Sequence, residues 1–128
     1  NYKRLREESL EVDRWNRLHP DKKAKTSYLQ DALAKEKGIF VAVSDNMRMV
    51  SDQIHQWVPG GLTSLGTDGF GRSDTREALR RHFEVDAPMI ALAVLYRLYE
   101  DKKVKLALLK DFIKTYDVDT EAGFSLRM

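Results

Sequence analysis

Between Tyr2 and Leu18 the apolar residues Leu5, Val12 and Trp15 share one helical face and charges fill the rest, a spacing that predicts an amphipathic helix. His19-Pro20-Asp21 ends it. Thr26-Ser27 then offers an N-cap, and Gln30 completes a capping box with Ser27, so a short helix is expected, closed by Gly38. Ile39 to Val43 is a continuous apolar run rich in β-branched residues, bounded by Gly38 and Ser44-Asp45. Such a run predicts a strand covered on both faces, as in a parallel sheet. Asp45 is expected to cap a helix in which Met47, Val50, Ile54 and Trp57 recur at helical spacing, until Pro59-Gly60-Gly61 breaks it. A second strand, Leu62 to Leu65, follows. Strand, helix, strand in that order is a βαβ unit.

The second strand runs into the glycine-rich stretch G-T-D-G-F-G-R, Gly66 to Arg72. Asp74 and Glu77 have capping-box spacing, which starts a helix near Thr75 that carries Arg76, Arg80 and Arg81 and ends near His82. Phe83-Glu84-Val85 reads as a short strand. Asp86, with Pro88 in the first turn, opens the most apolar helix of the chain, Ala87 to Tyr99, whose dense apolar positions imply burial on several sides. A last amphipathic helix is expected from Val104 to Tyr116, with Leu106, Leu109, Ile113 and Tyr116 aligned, and the residues after Asp117 have no periodic pattern. With no internal repeat or low-complexity linker, residues 1–128 read as a single α/β domain.

Composition narrows the chemistry. Hydrophobic residues at 42% and charged residues at 33% suit a globular domain. The longest apolar runs fall far short of a membrane span, and the charged start carries no secretory signal pattern, so a cytoplasmic protein with no membrane partner is expected. The absence of cysteine excludes disulfides, thiolate metal sites and a cysteine nucleophile within this sequence. A formal charge of +2, with Lys and Arg spread along the chain, argues against nucleic acid as a partner. The nearest basic clusters, Asp21 to Lys25 and Asp101 to Lys105, each carry an acid and read as solvated helix ends.

Gly66 to Arg72 is the most unusual stretch, because a glycine-rich turn between a strand and a helix is where α/β proteins bind phosphates. As a dinucleotide fingerprint it fails at Asp74, an acid where the third glycine belongs, and no Gly-Lys-Ser/Thr of a P-loop follows. The structural alternative is a tight turn: glycines supply positive φ, Phe70 packs inward, and Arg72 pairs with Asp68 or Asp74. A third possibility is an interface or active-site edge. The residues carrying these readings are Gly66, Asp68, Gly69, Phe70, Gly71, Arg72, Asp74, Arg76 and His82. His19, His55 and His82 show no metal-ligand spacing and read as structural or interface residues, and no serine sits in G-x-S-x-G.

Two blocks taken together, D-R-W-N-R-L-H-P from Asp13 to Pro20 and the run from Gly66 to Asp86, resemble the C-terminal domain of the homodimeric-type pyruvate dehydrogenase E1 component. Ile39 to Met49 fits the family's strand-turn-helix between them, and transketolase C-terminal domains are more distant relatives. The resemblance implies a three-layer α/β/α domain with a mixed, mostly parallel sheet, serving as scaffold and dimerisation domain of a large subunit. That subunit decarboxylates pyruvate and reductively acetylates the lipoyl group of E2, the dihydrolipoyl acetyltransferase. Thiamine diphosphate and magnesium are held in the family by the first two domains at the dimer interface, so neither a catalytic nor a cofactor residue is expected here. In keeping with this, Gly66-Thr67-Asp68-Gly69 only partly echoes the family's G-D-G motif, and no asparagine follows Asn46. The implied partners are the remaining E1 domains, a second E1 subunit and E2. Family members carry a strand and more before the Tyr2 helix, so the chain is expected to begin partway through the domain and to expose a sheet edge. A free-standing module that docks a carrier protein, and a small nucleotide-binding protein using Gly66 to Arg72, are the competing readings.

Overall fold

The computed structural model describes residues 1–69 and 74–127. The chain divides into two compact units, Asn1–Phe40 with Met49–Leu62, and Val41–Arg48 with Thr63–Met128.

In the first unit Asn1 caps α1 (Tyr2–Leu18) by accepting the Lys3 and Arg4 N–H groups on its side-chain oxygen. The predicted capping box opens α2 (Tyr28–Leu33), with Ser27 wholly buried and its N–H given to Gln30. This helix stops well before Gly38, because Lys35, Glu36 and Lys37 are exposed and offer no apolar side chain to bury. Leu29, Ile54, Trp57 and Val58 form the buried core, with Leu5, Leu33, Phe40 and Leu62 packed against it. The charged side of α1 also contributes. Asp13 Oδ2 accepts from the Trp57 indole N–H at 3.0 Å, and Arg6 lies 5.8 Å from the same ring while donating to the Gln53 carbonyl. The single helix expected after Asp45 is instead α3 (Arg48–Asp52) followed by a 3₁₀ turn, His55–Trp57. Bonds from Trp57 to Ile54 and from Val58 to His55 tighten the chain here, and a three-residue period brings both Ile54 and Trp57 onto the core.

In the second unit β1 (Val41–Val43) and β2 (Thr63–Leu65) pair in parallel, with Val41 opposite Thr63 and Val43 opposite Leu65. The α/β class stands, in a helix-rich form with a small sheet of two strands among the described residues. Among the described residues each strand has one strand neighbour. Coverage on both faces is partial: Val41 and Ala42 are half-buried, whereas Val43 is 44% exposed and borders an open cleft.

The α-helices of this unit among the described residues are α4 (Arg76–His82), α5 (Ala87–Glu100) and α6 (Leu106–Thr115). Thr75 caps α4 by accepting the Ala78 N–H, while Asp74 accepts the Thr75 N–H. The cap thus lies one residue beyond the expected Asp74, and Glu77 falls outside capping-box spacing. Asp86 caps α5 as predicted. The burial expected on several sides of α5 is partial: Pro88 to Leu95 are all half-buried, none of its residues is fully buried, and α6 and β1 are its main packing partners.

The strand expected at Phe83-Glu84-Val85 is a helix terminus instead. Glu84 takes φ 61°, its N–H returns to Arg81, and the Val85 N–H returns to Arg80. This is a Schellman closure with glutamate in the left-handed position. The two following helices close identically, with Lys102 at φ 61° bonded to Tyr99 and Asp117 at φ 49° bonded to Lys114, each followed by the longer bond to Leu98 or Ile113. A left-handed residue with a Cβ is strained by about 1–2 kcal/mol, more than the entropy added by glycine in the unfolded chain. Lys102 and Asp117 are exposed, so Lys102→Gly and Asp117→Gly should each raise stability by about 0.5–1 kcal/mol, read as a higher urea midpoint at unchanged slope. Lower midpoints in both variants would contradict this account of the helix ends.

Candidate functional site

Ligands of open α/β sheets bind outside the carboxyl ends of the strands, so the turns that leave β1 and β2 are the place to look. They are laced to one another. Ser44 N–H donates to the Leu65 carbonyl at 3.1 Å, Thr67 N–H donates to the Asn46 carbonyl at 3.0 Å, and the Thr67 hydroxyl donates to the Asp45 carbonyl at 2.6 Å. Asp68 ties the same turns through its side chain. Its Oδ1 accepts the Arg48 N–H at 3.0 Å, and its Oδ2 lies 3.3 Å from Arg48 Nε. The helix beginning at Arg48 therefore receives its first carboxylate from Asp68, not from the expected Asp45.

The glycines serve in two different ways. Gly66 is buried, and a Cβ there would stand 2.4 Å from the Asn46 carbonyl oxygen and 3.0 Å from Arg48 N. Its role is close approach, where the sequence suggested positive φ. Gly69 does take positive φ, +97°, and a Cβ there would also meet the Ser125 carbonyl oxygen at 2.5 Å. Phe70, Gly71 and Arg72, and with them the inward packing of Phe70 and the pairing of Arg72, lie outside the described residues.

An open cleft of about 750 Å³ lies beside these turns and is bordered by Ser44, Thr67, Gly69, Asp74, Arg76 and Arg80 among others. Asp74, Arg76 and Arg80 are all exposed. Acid and base line it together, since Asp45 and Asp74 face the same space as the two arginines. His82 does not border it: its ring meets Phe83 edge-on at 4.7 Å and it lines a separate cavity with Met89 and Val118. His19 stacks on Trp15 at 4.4 Å, and the His55 ring accepts the Leu62 N–H at 3.2 Å. No group of three His, Cys, Asp or Glu side chains able to hold a metal occurs among the described residues. None of their helices is long and apolar enough to cross a membrane.

Sequence reasoning selected Gly66, Asp68 and Gly69 but missed Arg48, Asn46, Thr67 and Ser125, which complete the arrangement. No local pattern marks them, because each acts across at least one intervening element. The side chains of Arg48 and Asp68 are 22% and 13% accessible, between an exposed pair worth about 0–1 kcal/mol and a fully buried one whose rupture costs about 3–5 kcal/mol. Asp68→Ala removes the ion pair and the acceptor for Arg48 N–H, and is expected to lower stability by about 2–3 kcal/mol. Asp68→Asn keeps a neutral acceptor and should lose about 1 kcal/mol, measured by urea unfolding.

Two parallel strands joined at their carboxyl-end turns by backbone, carboxylate and guanidinium contacts define an α/β domain with a cross-braced framework turn. The chain belongs to the transketolase-like TK C-terminal domain family, whose sequence profile matches residues 4–86. It is similar to the pyruvate dehydrogenase E1 component of Pseudomonas aeruginosa, with 42% identity over 122 residues, covering 94% of this chain and 14% of that protein. The E1 component of Mycolicibacterium smegmatis is 42% identical over 123 residues, 94% of this chain and 13% of that protein. The E1 component of Escherichia coli K12 is 34% identical over 122 residues, 94% of this chain and 14% of that protein. The chain spans about one seventh of the length of the curated relatives it matches.

Proposed function

We propose that this chain is the C-terminal scaffold and dimerisation domain of a cytoplasmic pyruvate dehydrogenase E1 subunit. The observation that carries the reading is 42% identity to a pyruvate dehydrogenase E1 component over 94% of the chain. The whole subunit would decarboxylate pyruvate on thiamine diphosphate and pass the acetyl group to the lipoyl group of E2, and it would work as a homodimer. Thiamine diphosphate and magnesium would be held by other domains. What supports that placement is the engagement of Asp68, the acid of the partial Gly66–Gly69 echo: its two oxygens face Arg48 and not an open site. Among the described residues the cleft beside it joins two exposed arginines with two acids, so their formal charges balance. The role of this domain would be to present the laced turns as a rigid surface to neighbouring domains.

The test uses the intact subunit that contains this sequence. It should decarboxylate pyruvate only with thiamine diphosphate and magnesium present and acetylate a lipoyl domain, whereas the 128-residue chain should give no heat of binding when titrated with cofactor and magnesium. Asp68→Ala in the intact subunit should weaken the dimer in sedimentation equilibrium while cofactor affinity per assembled dimer stays unchanged. Stoichiometric cofactor binding by the chain alone, or an intact subunit inactive on pyruvate, would overturn the proposal.

A further inference from the structure

Residues after Asp117 carry no hydrophobic periodicity, yet Ser125 among them is only 4% exposed. It sits against the framework turn. The Ser125 carbonyl oxygen lies 2.5 Å from where a Cβ on Gly69 would stand, and Leu126 Cα lies 3.5 Å from the same point. The neighbouring Phe124 ring lies beneath the Arg48 guanidinium, 5.2 Å from its centroid, and that guanidinium also pairs with Asp68. Arg48 thus connects the turn after β1, the turn after β2 and the 3₁₀ turn Ser125–Arg127.

We propose that residues 124–127 form a strap that locks the paired turns, clasped through Arg48 and seated in the space that Gly69 leaves open. The strap is preorganised by its own bond, Arg127 N–H to the Phe124 carbonyl at 2.9 Å. Its outer surface is thinly held: Phe124 is 42% and Leu126 55% exposed. An element with so little buried surface opens locally, ahead of the helices. Because it shares Arg48 and Gly69 with the turns, its opening loosens them, and by linkage anything that loosens the turns releases the strap. Gly69 also borders the open cleft, so the strap fixes one wall of that space. The inference concerns regulation of the framework and stands independently of the assignment of activity.

Residue-resolved amide exchange on the full chain tests it. Phe124→Ala should speed exchange of the Arg48 and Thr67 N–H groups by about tenfold while amides of α1 keep their wild-type rates. Asp68→Asn, which weakens the clasp from the other side, should speed exchange of the Arg127 N–H. If Phe124→Ala frees Arg127 alone and leaves Arg48 and Thr67 fully protected, strap and turns are uncoupled and the inference fails. Should Phe124→Ala prevent folding, Phe124→Leu keeps apolar volume without the ring face, and the same amides give the same two outcomes.

Discussion

Gly66→Ala should lower stability by about 3 kcal/mol or more, although it adds a single methyl group. The added carbon would stand 2.4 Å from the Asn46 carbonyl oxygen and 3.0 Å from Arg48 N, both of them backbone atoms. Neither can withdraw cheaply. The Asn46 carbonyl accepts the Thr67 N–H, and the Arg48 N–H is held by Asp68, so movement breaks the bonds that join the two turns. Gly38→Ala provides the contrast, since nothing lies within 4 Å of a Cβ there and only the φ of +136° is strained. Urea unfolding of the two variants should separate steric approach from backbone conformation. Gly66→Ala within about 0.5 kcal/mol of wild type would mean that the turns are not packed this closely.

Trp57→Ala should remove about 3–5 kcal/mol. Trp57 is 4% exposed at the centre of the first unit, and its loss leaves a cavity among Leu29, Ile54 and Val58. It also leaves Asp13 without its indole donor and Arg6 without its ring. Trp57→Phe retains much of the apolar contact and loses the N–H, so a smaller loss of about 1–2 kcal/mol is expected. That variant leaves Trp15 as the sole tryptophan, which makes the transition readable by fluorescence. Equal losses for alanine and phenylalanine would show that the hydrogen bond to Asp13, and not burial, dominates.

Tyr2 to Leu18, Ser27 with Gln30, and Asp86 with Pro88 show how much of the fold is legible locally. Helix faces and caps are set by residues three or four positions apart, and the positions of α1, the start of α2 and the start of α5 follow from that spacing. The parallel βαβ pairing was legible too, from the apolar run at Ile39 to Val43 and the glycine-bounded Leu62 to Leu65. The family resemblance lay in Asp13 to Pro20 and Gly66 to Asp86, with Ile39 to Met49 between them.

Where elements stop was harder to read. Gly38 suggested the end of α2, but a helix continues only while its residues find surface to bury, and 35–37 find none. Glu84, Lys102 and Asp117 end their helices in a conformation that sequence rules reserve for glycine, held there by paired bonds to the preceding turn. The run Phe83 to Val85 looked like a strand because its apolar alternation is the same whether a strand or a helix end presents it.

The sequence by itself determined the class of the domain, its family and which stretch carries the framework turn. Only the tertiary structure decided what that stretch does. Asp68 reaches Arg48 across 20 residues, Gly66 is required by a carbonyl on another turn, and Gly69 makes room for Ser125. Hydrophobic period and capping chemistry describe neighbours along one element. A carboxylate's partner or a glycine's missing methyl is defined by whichever chain segment folding brings alongside, and that juxtaposition is a property of the packed molecule alone.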